Sequence, residues 1–214
     1  MIGIIDYGMG NLFSVSKALE RLDVPYVIGD RPEKLEGCDG YILPGVGAFP
    51  DAMKALDQHG FTDFVKTLVD ESIPLYGICL GMQLLFEKSE ENGSNKGLGL
   101  LPGSVIRFVG HDKEGKKYKV PHMGWNKLEV YQPYNQLMRG IEEDYVYFVH
   151  SFYVDTTDRS ILLASSTYDV EVPAIVGKGS LYASQFHPEK SGEAGMKLLR
   201  NFCDQVEQSK GGRR

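Results

Sequence analysis

The sequence predicts an α/β fold with a mostly parallel central sheet flanked by helices, and an added antiparallel section in the C-terminal half. In the N-terminal half, short apolar runs alternate with amphipathic ones, a pattern typical of a parallel sheet covered on both faces. After about residue 104, strand-like runs follow one another across short turns, which indicates antiparallel pairing. The 214 residues, 42% of them hydrophobic, suffice for one core. We expect one domain over residues 1–209 and a disordered tail over 210–214.

The N-terminal half divides into four strand-like runs and four helix-like runs. The predicted strands are, in order, IGIIDY, PYVIG, GYILPG and IPLYGI. The predicted helices are NLFSVSKALERL, AFPDAMKALDQHG, FTDFVKTLVDES and LGMQLLFEKS. Ligands of parallel sheets bind beyond the carboxyl ends of the strands. The three glycine-bearing turns DYGMGNLF, LPGVGAFP and YGICLGMQ should therefore meet at one crevice.

The C-terminal half is mostly strands, with a final helix expected from about 192 to 208. The apolar and β-branched runs that predict these strands are SVIRFV, YKVPHMGWNKLEV, DYVYFVHSFYV, ILLASSTY, PAIVGKG and SLYASQF. No phosphate-binding loop pattern occurs, and GMGNLF has Phe13 where a dinucleotide-binding turn needs its third glycine. A nucleotide cofactor is therefore not expected.

Charge and cysteine usage exclude several classes of function. The net charge of −6 argues against a nucleic-acid partner, because phosphate backbones are bound by clustered positive charge. The N-terminus MIGIIDYGMGN lacks the features of a signal peptide, and no apolar run is long enough for a membrane span. The three cysteines, Cys38, Cys79 and Cys203, fit neither a disulfide framework nor a metal site. We expect a cytoplasmic protein with free thiols, no metal and no cofactor.

Cys79 is the candidate nucleophile. It lies where the strand IPLYGI meets a predicted helix, and Gly77 and Gly81 flank it two residues away on either side. This frame resembles the G-x-S-x-G elbow, in which small neighbours permit a strained turn that exposes the nucleophile. Unpaired N–H groups at a helix start would also favour the thiolate. Cys38 and Cys203 lack such a frame and are interpreted as core residues.

A cysteine nucleophile needs a base that a third group orients. His187 and Glu189 are two residues apart, so in an extended segment their side chains project together, and Pro188 favours that geometry for His187. His150 is the competing histidine, which we interpret instead as a strand residue packed near the site. The sequence therefore predicts a triad of Cys79, His187 and Glu189.

Five stretches, in this order, resemble the class I, or triad-type, glutamine amidotransferases. Within this family they are most similar to the glutaminase subunits of imidazole glycerol phosphate synthases, from histidine biosynthesis. The stretches are IDYGMGNL (5–12), LPGVGAF (43–49), GICLGMQLLF (77–86), PHMGWN (121–126) and FHPEKS (186–191). They span nearly the whole chain.

The resemblance implies hydrolysis of L-glutamine to glutamate and ammonia through a thioester on Cys79. His187 would act as acid and base, and Glu189 would orient it. The oxyanion would be held by the backbone N–H of Leu80 and by one from the turn Gly45, Val46, Gly47. The family's substrate-binding positions correspond to Gln83, Glu91 and the backbone of His150, Ser151 and Phe152. Gln83 is supported independently, since it lies four residues after Cys79 on one helix face. The adjacent Glu90 is the alternative to Glu91 at this position.

The resemblance also implies a partner, a (β/α)8-barrel cyclase subunit that uses the ammonia and activates the glutaminase. The interface positions correspond to Asn11, Trp125, Asn126, Tyr147 and Lys190. Trp125, the single tryptophan, is either an interface anchor or a core residue. The alternatives are a glutaminase of another pathway, a cysteine hydrolase without a barrel partner, and a regulatory module without activity.

Overall fold

The computed structural model describes residues 1–111 and 114–212, with the backbone alone for 211 and 212. Apart from the consecutive helices α2 and α3, strands and helices alternate up to α4, and strands then follow one another until α5. The helices are α1 (Leu12–Arg21), α2 (Phe49–Gln58), α3 (Phe61–Asp70), α4 (Leu80–Leu84) and α5 (Gly192–Gly212). The strands are β1 (Ile2–Ile5), β2 (Tyr26–Gly29), β3 (Gly40–Gly45), β4 (Leu75–Cys79), β5 (Phe86–Ser89), β6 (Asn95–Lys96), β7 (Leu101–Arg107), β8 (His122–Lys127), β9 (Glu129–Val130), β10 (Tyr145–His150), β11 (Phe152–Asp155), β12 (Leu162–Tyr168), β13 (Val170–Lys178) and β14 (Leu181–Ser184).

The central sheet has, over the described residues, eight strands in the order β2-β1-β3-β4-β14-β13-β12-β9. The strands from β2 to β14 pair in parallel. Those from β14 to β9 pair antiparallel. The predicted fold class, a mostly parallel sheet with an antiparallel section from the C-terminal half, is thereby confirmed.

Both faces of the sheet are covered, because side chains along each strand alternate between two cores. Ile5 and Leu43 belong to the core that includes residues of α2 and α3. Ile4 and Ile42, one position away, belong to the core that includes residues of α1 and α5. This double burial explains why the N-terminal strands read as continuous apolar runs.

Two of the predicted helix boundaries were wrong. The run LGMQLLFEKS forms a helix only as far as Leu84, and Phe86–Ser89 is strand β5, which pairs in parallel with β7. Apolar residues from Leu84 to Phe86 are consecutive, so their spacing does not distinguish helix from strand. Helix α5 continues to Gly212 instead of ending near 208, so the first residues of the predicted disordered tail are helical. Residues 213 and 214 lie outside the described part.

In the part of the chain that the structure describes, two smaller sheets flank the carboxyl ends of β3, β4 and β14. One is the antiparallel pair β8–β10, and the other has the order β11-β7-β5-β6. Both carry residues that line the site described below. Among the described residues, the helices include none whose length and apolar character would allow it to cross a bilayer.

Candidate active site

Cys79 occupies a sharp turn between β4 and α4. Its backbone has φ 55° and ψ −110°, a conformation that favours glycine. The flanking glycines are required by space: a Cβ on Gly81 would lie 2.0 Å from the carbonyl oxygen of Leu43, and one on Gly77 would lie 2.9 Å from the carbonyl oxygen of Gly81. The turn therefore exists because two glycines let α4 pack directly on the backbone of β3 and β4.

His187 and Glu189 lie beside Cys79. Strand β14 pairs in parallel with β4, so the segment that follows β14 emerges next to the Cys79 turn. His187 Nδ1 is 2.8 Å from Glu189 Oε1, and both side chains are buried. His187 has extended backbone, and Pro188–Lys190 forms a single 3-10 turn that brings Glu189 back to the imidazole. The pair predicted from the sequence thus meets through a turn rather than along an extended strand.

The environment of His187 favours its protonated form. Burial by itself lowers the pKa of His187, but hydrogen bonds to Cys79 and Glu189, together with their negative charges, raise it to about 10. An imidazolium held between a cysteine and a carboxylate is the arrangement that suits a nucleophilic cysteine. Burial raises the pKa of Cys38, and raises the pKa of Cys203 to about 12. Both lie in the core.

The turn after β3 lies against the other two glycine-bearing turns. Gly45 pairs in register with Cys79, and a Cβ on it would lie 2.6 Å from the backbone nitrogen of Gly81. The N–H of Val46 donates to the carbonyl oxygen of Met9, with an N···O distance of 3.0 Å. Gly47 has φ 101°, which only glycine adopts without strain. In this predicted oxyanion turn, the Val46 N–H is therefore bonded to the loop that contains Met9.

A cavity of about 390 Å³ opens beside Cys79, within the size range of small-molecule sites. It brings together eleven of the residues that the sequence analysis assigned to the nucleophile, the base, the oxyanion turns, the substrate and the partner. Its lining comprises Val46, Gly47, Cys79, Leu80, Gln83, Glu91, Pro121, Val149, His150, Ser151, Phe152, His187 and Lys190.

Gln83 and Gln185 connect the cavity wall to Cys79. The Gln83 amide nitrogen donates to the carbonyl oxygen of Phe152 at 2.9 Å and to Gln185 Oε1 at 3.0 Å. Gln185 is fully buried, and its own amide nitrogen lies 3.9 Å from Cys79 Sγ. Sequence reasoning missed Gln185. Its position two residues before His187, in a segment already singled out, was the available signal.

The structure separates the two adjacent glutamates. Glu91 lines the cavity, and one of its carboxylate oxygens accepts from the backbone N–H of Phe49 at the start of α2. Glu90 accepts instead from the backbone N–H of Arg107 on β7, away from the cavity lining. Glu91 is therefore the one placed to meet a ligand.

His150 lines the cavity but is not positioned as the base. Its Nδ1 lies 2.8 Å from the carbonyl oxygen of Phe152, and its Nε2 lies 3.0 Å from Nδ1 of His122. Burial lowers the pKa of His150 to about 3, although the hydrogen bond to Phe152 opposes this, and burial also lowers the pKa of His122 to about 4. Both imidazoles are therefore neutral at physiological pH. Sequence reasoning assigned no role to His122.

The predicted interface residues fall into two groups. Trp125 is 57% exposed on β8, packs edge-on against Tyr147 of β10, and has the exposed Met123 and Tyr145 for neighbours on the same two strands. Lys190 lines the cavity close by. The other two residues have side chains bonded within the chain, since Asn11 Oδ1 caps α1 through the N–H of Ser14, and Asn126 Nδ2 donates to the carbonyl oxygen of Thr167.

Comparisons with known proteins show the family of this chain. The family model for class-I glutamine amidotransferases matches residues 3–206. The chain belongs to the class-I glutamine amidotransferase family. It is 60% identical over 202 residues to imidazole glycerol phosphate synthase subunit HisH of Geobacillus kaustophilus, covering 94% of this chain and 95% of that one. The same subunit of Bacillus subtilis is 52% identical over 98% of this chain and 99% of its own length.

Solved structures share the fold. A glutamine amidotransferase crystal structure superposes with a TM-score of 0.75 at 24% identity, covering 96% of this chain and 98% of the other. A structure of PurLQS from Thermotoga maritima gives a TM-score of 0.71 at 19% identity, covering 96% of this chain and 98% of that one. At these identities the likeness concerns the fold alone.

Proposed function

We propose that this chain is the glutaminase subunit of an imidazole glycerol phosphate synthase. It hydrolyses L-glutamine and supplies ammonia to a separate (β/α)8-barrel cyclase subunit, which makes imidazole glycerol phosphate and aminoimidazole carboxamide ribotide in histidine biosynthesis. The observation that carries the proposal is the strained Cys79 beside the buried His187–Glu189 pair, in a small-molecule cavity that polar groups line. We place the reaction in the cytoplasm, on a single domain.

The chemistry uses one nucleophile and one proton carrier. Cys79 Sγ attacks the side-chain carbonyl carbon of glutamine, and His187 gives a proton to the departing nitrogen as the C–N bond breaks. Ammonia leaves, and a γ-glutamyl thioester remains on Cys79. His187 then takes a proton from water, whose oxygen attacks the thioester and releases glutamate. Glu189 keeps the imidazole oriented and stabilises its charge.

Binding of glutamine falls to the cavity wall. Glu91 is an acceptor suited to the substrate's ammonium group, and the backbone of His150, Ser151 and Phe152 offers polar groups along one side. Gln83 is anchored by two hydrogen bonds and presents a fixed amide. These contacts would select an amino acid with a terminal amide.

The oxyanion turn gives the site an idle state. Leu80, the first residue of α4, has an N–H without an intrahelical partner, which serves as one donor. The second donor is the N–H of Val46, which the bond to Met9 engages elsewhere in the described conformation. Rotating the Gly45–Val46 peptide would turn this N–H toward the oxyanion. We propose that binding of the cyclase, with its nucleotide ligand, favours that rotation.

The cyclase would dock on the outer face of β8 and β10. Trp125 and Tyr147 provide aromatic anchors there, and Lys190 lines the cavity. The backbone of Asn11 and Asn126 would border the contact, since their side chains are bonded internally. Ammonia would leave across the same face.

Glutamate release tests the proposal. It is measured for this chain alone, with the cyclase subunit from the same source, and with that subunit plus its nucleotide ligand, each repeated for Cys79→Ala. Strong stimulation confined to the full mixture and lost in the variant is expected. Equal activity in all three mixtures would assign the chain to another amidotransferase branch, and cleavage of a chromogenic peptide would assign it to the cysteine hydrolases.

Gly47→Ala tests the idle state, because a residue with a Cβ is strained at φ 101°. The substitution should change the stimulation of glutaminase activity more than the affinity for the cyclase. Equal losses in stimulation and in affinity would contradict the proposed rotation.

A further inference from the structure

Two buried histidines face each other behind the cavity, and the proposed chemistry uses neither side chain. His122 on β8 and His150 on β10 are register partners across the strand pair, with 2% and 7% exposure. Their nearest ring nitrogens, Nδ1 of His122 and Nε2 of His150, are 3.0 Å apart. A contact of this length between nitrogens is a hydrogen bond, in which one ring donates and the other accepts.

The surrounding groups determine which nitrogens carry protons. The carbonyl oxygen of Phe152 only accepts, so His150 Nδ1, at 2.8 Å, is the protonated nitrogen. His150 is neutral, so its Nε2 accepts, and Nδ1 of His122 must be the donor. His122, neutral as well, then has an acceptor at Nε2, which faces Asn126 Nδ2 at 3.3 Å. Each imidazole therefore has its proton on Nδ1.

Asn126 begins this series of hydrogen bonds, and groups that are not part of the series hold it in place. The backbone N–H of Lys127 donates to Asn126 Oδ1 at 2.8 Å, and Asn126 Nδ2 also donates to the carbonyl oxygen of Thr167 at 2.9 Å. These two bonds leave a single orientation for the Asn126 amide. The His122 ring is held between two stacked rings, Phe148 at 4.5 Å and Tyr168 at 4.0 Å. Neither group can turn without breaking these contacts.

The series ends at the glutamine pocket. The Phe152 carbonyl that accepts from His150 also accepts from Gln83 at 2.9 Å, and Gln83 donates its other N–H to Gln185. Phe152, His150 and Gln83 all line the cavity. The orientation of the Gln83 amide, and of the peptide beside it, thus depends on a hydrogen-bond series that begins on β8.

We propose that His122 is a positioning residue for glutamine binding, which through its Nδ1–H holds His150 so that the Phe152 carbonyl and Gln83 keep the geometry of the substrate pocket. This inference rests on the proposed glutaminase function. His122 does not touch the substrate in this scheme, so its loss should affect the binding of glutamine more than the chemical step.

The tautomers are measured first, on the wild-type protein. Long-range ¹H–¹⁵N correlation spectra of histidine-labelled protein at neutral pH should show His122 and His150 both neutral with the proton on Nδ1. A proton on Nε2 of either ring would break the series and overturn the proposal. This measurement does not depend on whether a variant folds.

Kinetics of variants in the full mixture with the cyclase and its nucleotide ligand then test the role. His122→Phe keeps the stacked ring but leaves His150 Nε2 without a donor, and should raise KM for glutamine roughly tenfold with kcat within about twofold. His122→Asn offers an N–H near the position of Nδ1 and should restore most of KM. Tyr168→Phe is the matched control, because it keeps the stack and removes only the hydroxyl bond to Lys119.

The outcomes separate the two proposals. If the wild type is active, either of two results would refute the positioning role alone. One is an unchanged KM in His122→Phe, and the other is a KM that His122→Asn fails to restore. A wild type that releases no glutamate, and whose Cys79 resists a glutamine-analogue electrophile, would refute the glutaminase function itself.

Discussion

Replacing Cys79 by glycine should relieve the backbone strain at this position. At φ 55° and ψ −110°, a residue with a Cβ stores about 1–3 kcal/mol relative to glycine. Cys79→Ala keeps the Cβ and the strain, whereas Cys79→Gly loses both. Two costs reduce the stability that Cys79→Gly gains over Cys79→Ala. The loss of the buried methyl group costs about 0.8 kcal/mol, and the greater freedom of glycine in the unfolded chain costs about 0.5–1 kcal/mol.

A matched pair of variants isolates the strain. Cys203 is 4% exposed inside α5, where the backbone is helical, so Cys203→Gly should be less stable than Cys203→Ala by about 2 kcal/mol. At position 79, the free energy of unfolding of the glycine variant minus that of the alanine variant should exceed the same difference at position 203 by about 1–3 kcal/mol. This excess is the strain energy at Cys79. Urea unfolding followed by far-ultraviolet circular dichroism measures all four variants. Equal differences at the two positions would refute the argument.

Three further predictions concern protein stability, which urea unfolding measures. The pKa of His187 is raised to about 10, so the stability it contributes is present below pH 6.5 and lost as the pH rises through about 10; His187→Gln should lack this loss. The pKa of His122 is lowered to about 4, so the stability it contributes is present above pH 6.5 and lost as the pH falls toward about 4. His122→Phe should therefore flatten this decline of stability with falling pH. A pH–stability profile that the substitution leaves unchanged would contradict the assignment. Gly81→Ala puts a Cβ 2.0 Å from the Leu43 oxygen and should cost about 3 kcal/mol or more. Gly60→Ala, at φ 75° and with its new Cβ no closer than 3.9 Å to Pro32, should cost about 1 kcal/mol; similar losses at both glycines would show that the clash is absent.

Local signals in the sequence were sufficient for the fold class and for the prediction that Cys79, His187 and Glu189 lie together. The alternation of apolar and amphipathic runs depends on burial of both sheet faces, which acts on each strand and helix separately. The frame of Gly77 and Gly81 around Cys79 predicts a turn, because its steric requirements lie within a few residues. His187 and Glu189 are likewise neighbours in the chain.

Contacts between distant segments decided what the sequence alone left open or misplaced. Residues Phe86–Ser89 form a strand because β7 supplies backbone partners, a pairing that the apolar spacing does not encode. The bond from the Val46 N–H to Met9 joins loops that follow different strands. His122 gains its proposed role only when β8 pairs with β10 and places it against His150. Hydrogen bonds of this kind have no sequence period, so only the folded chain fixes which groups meet.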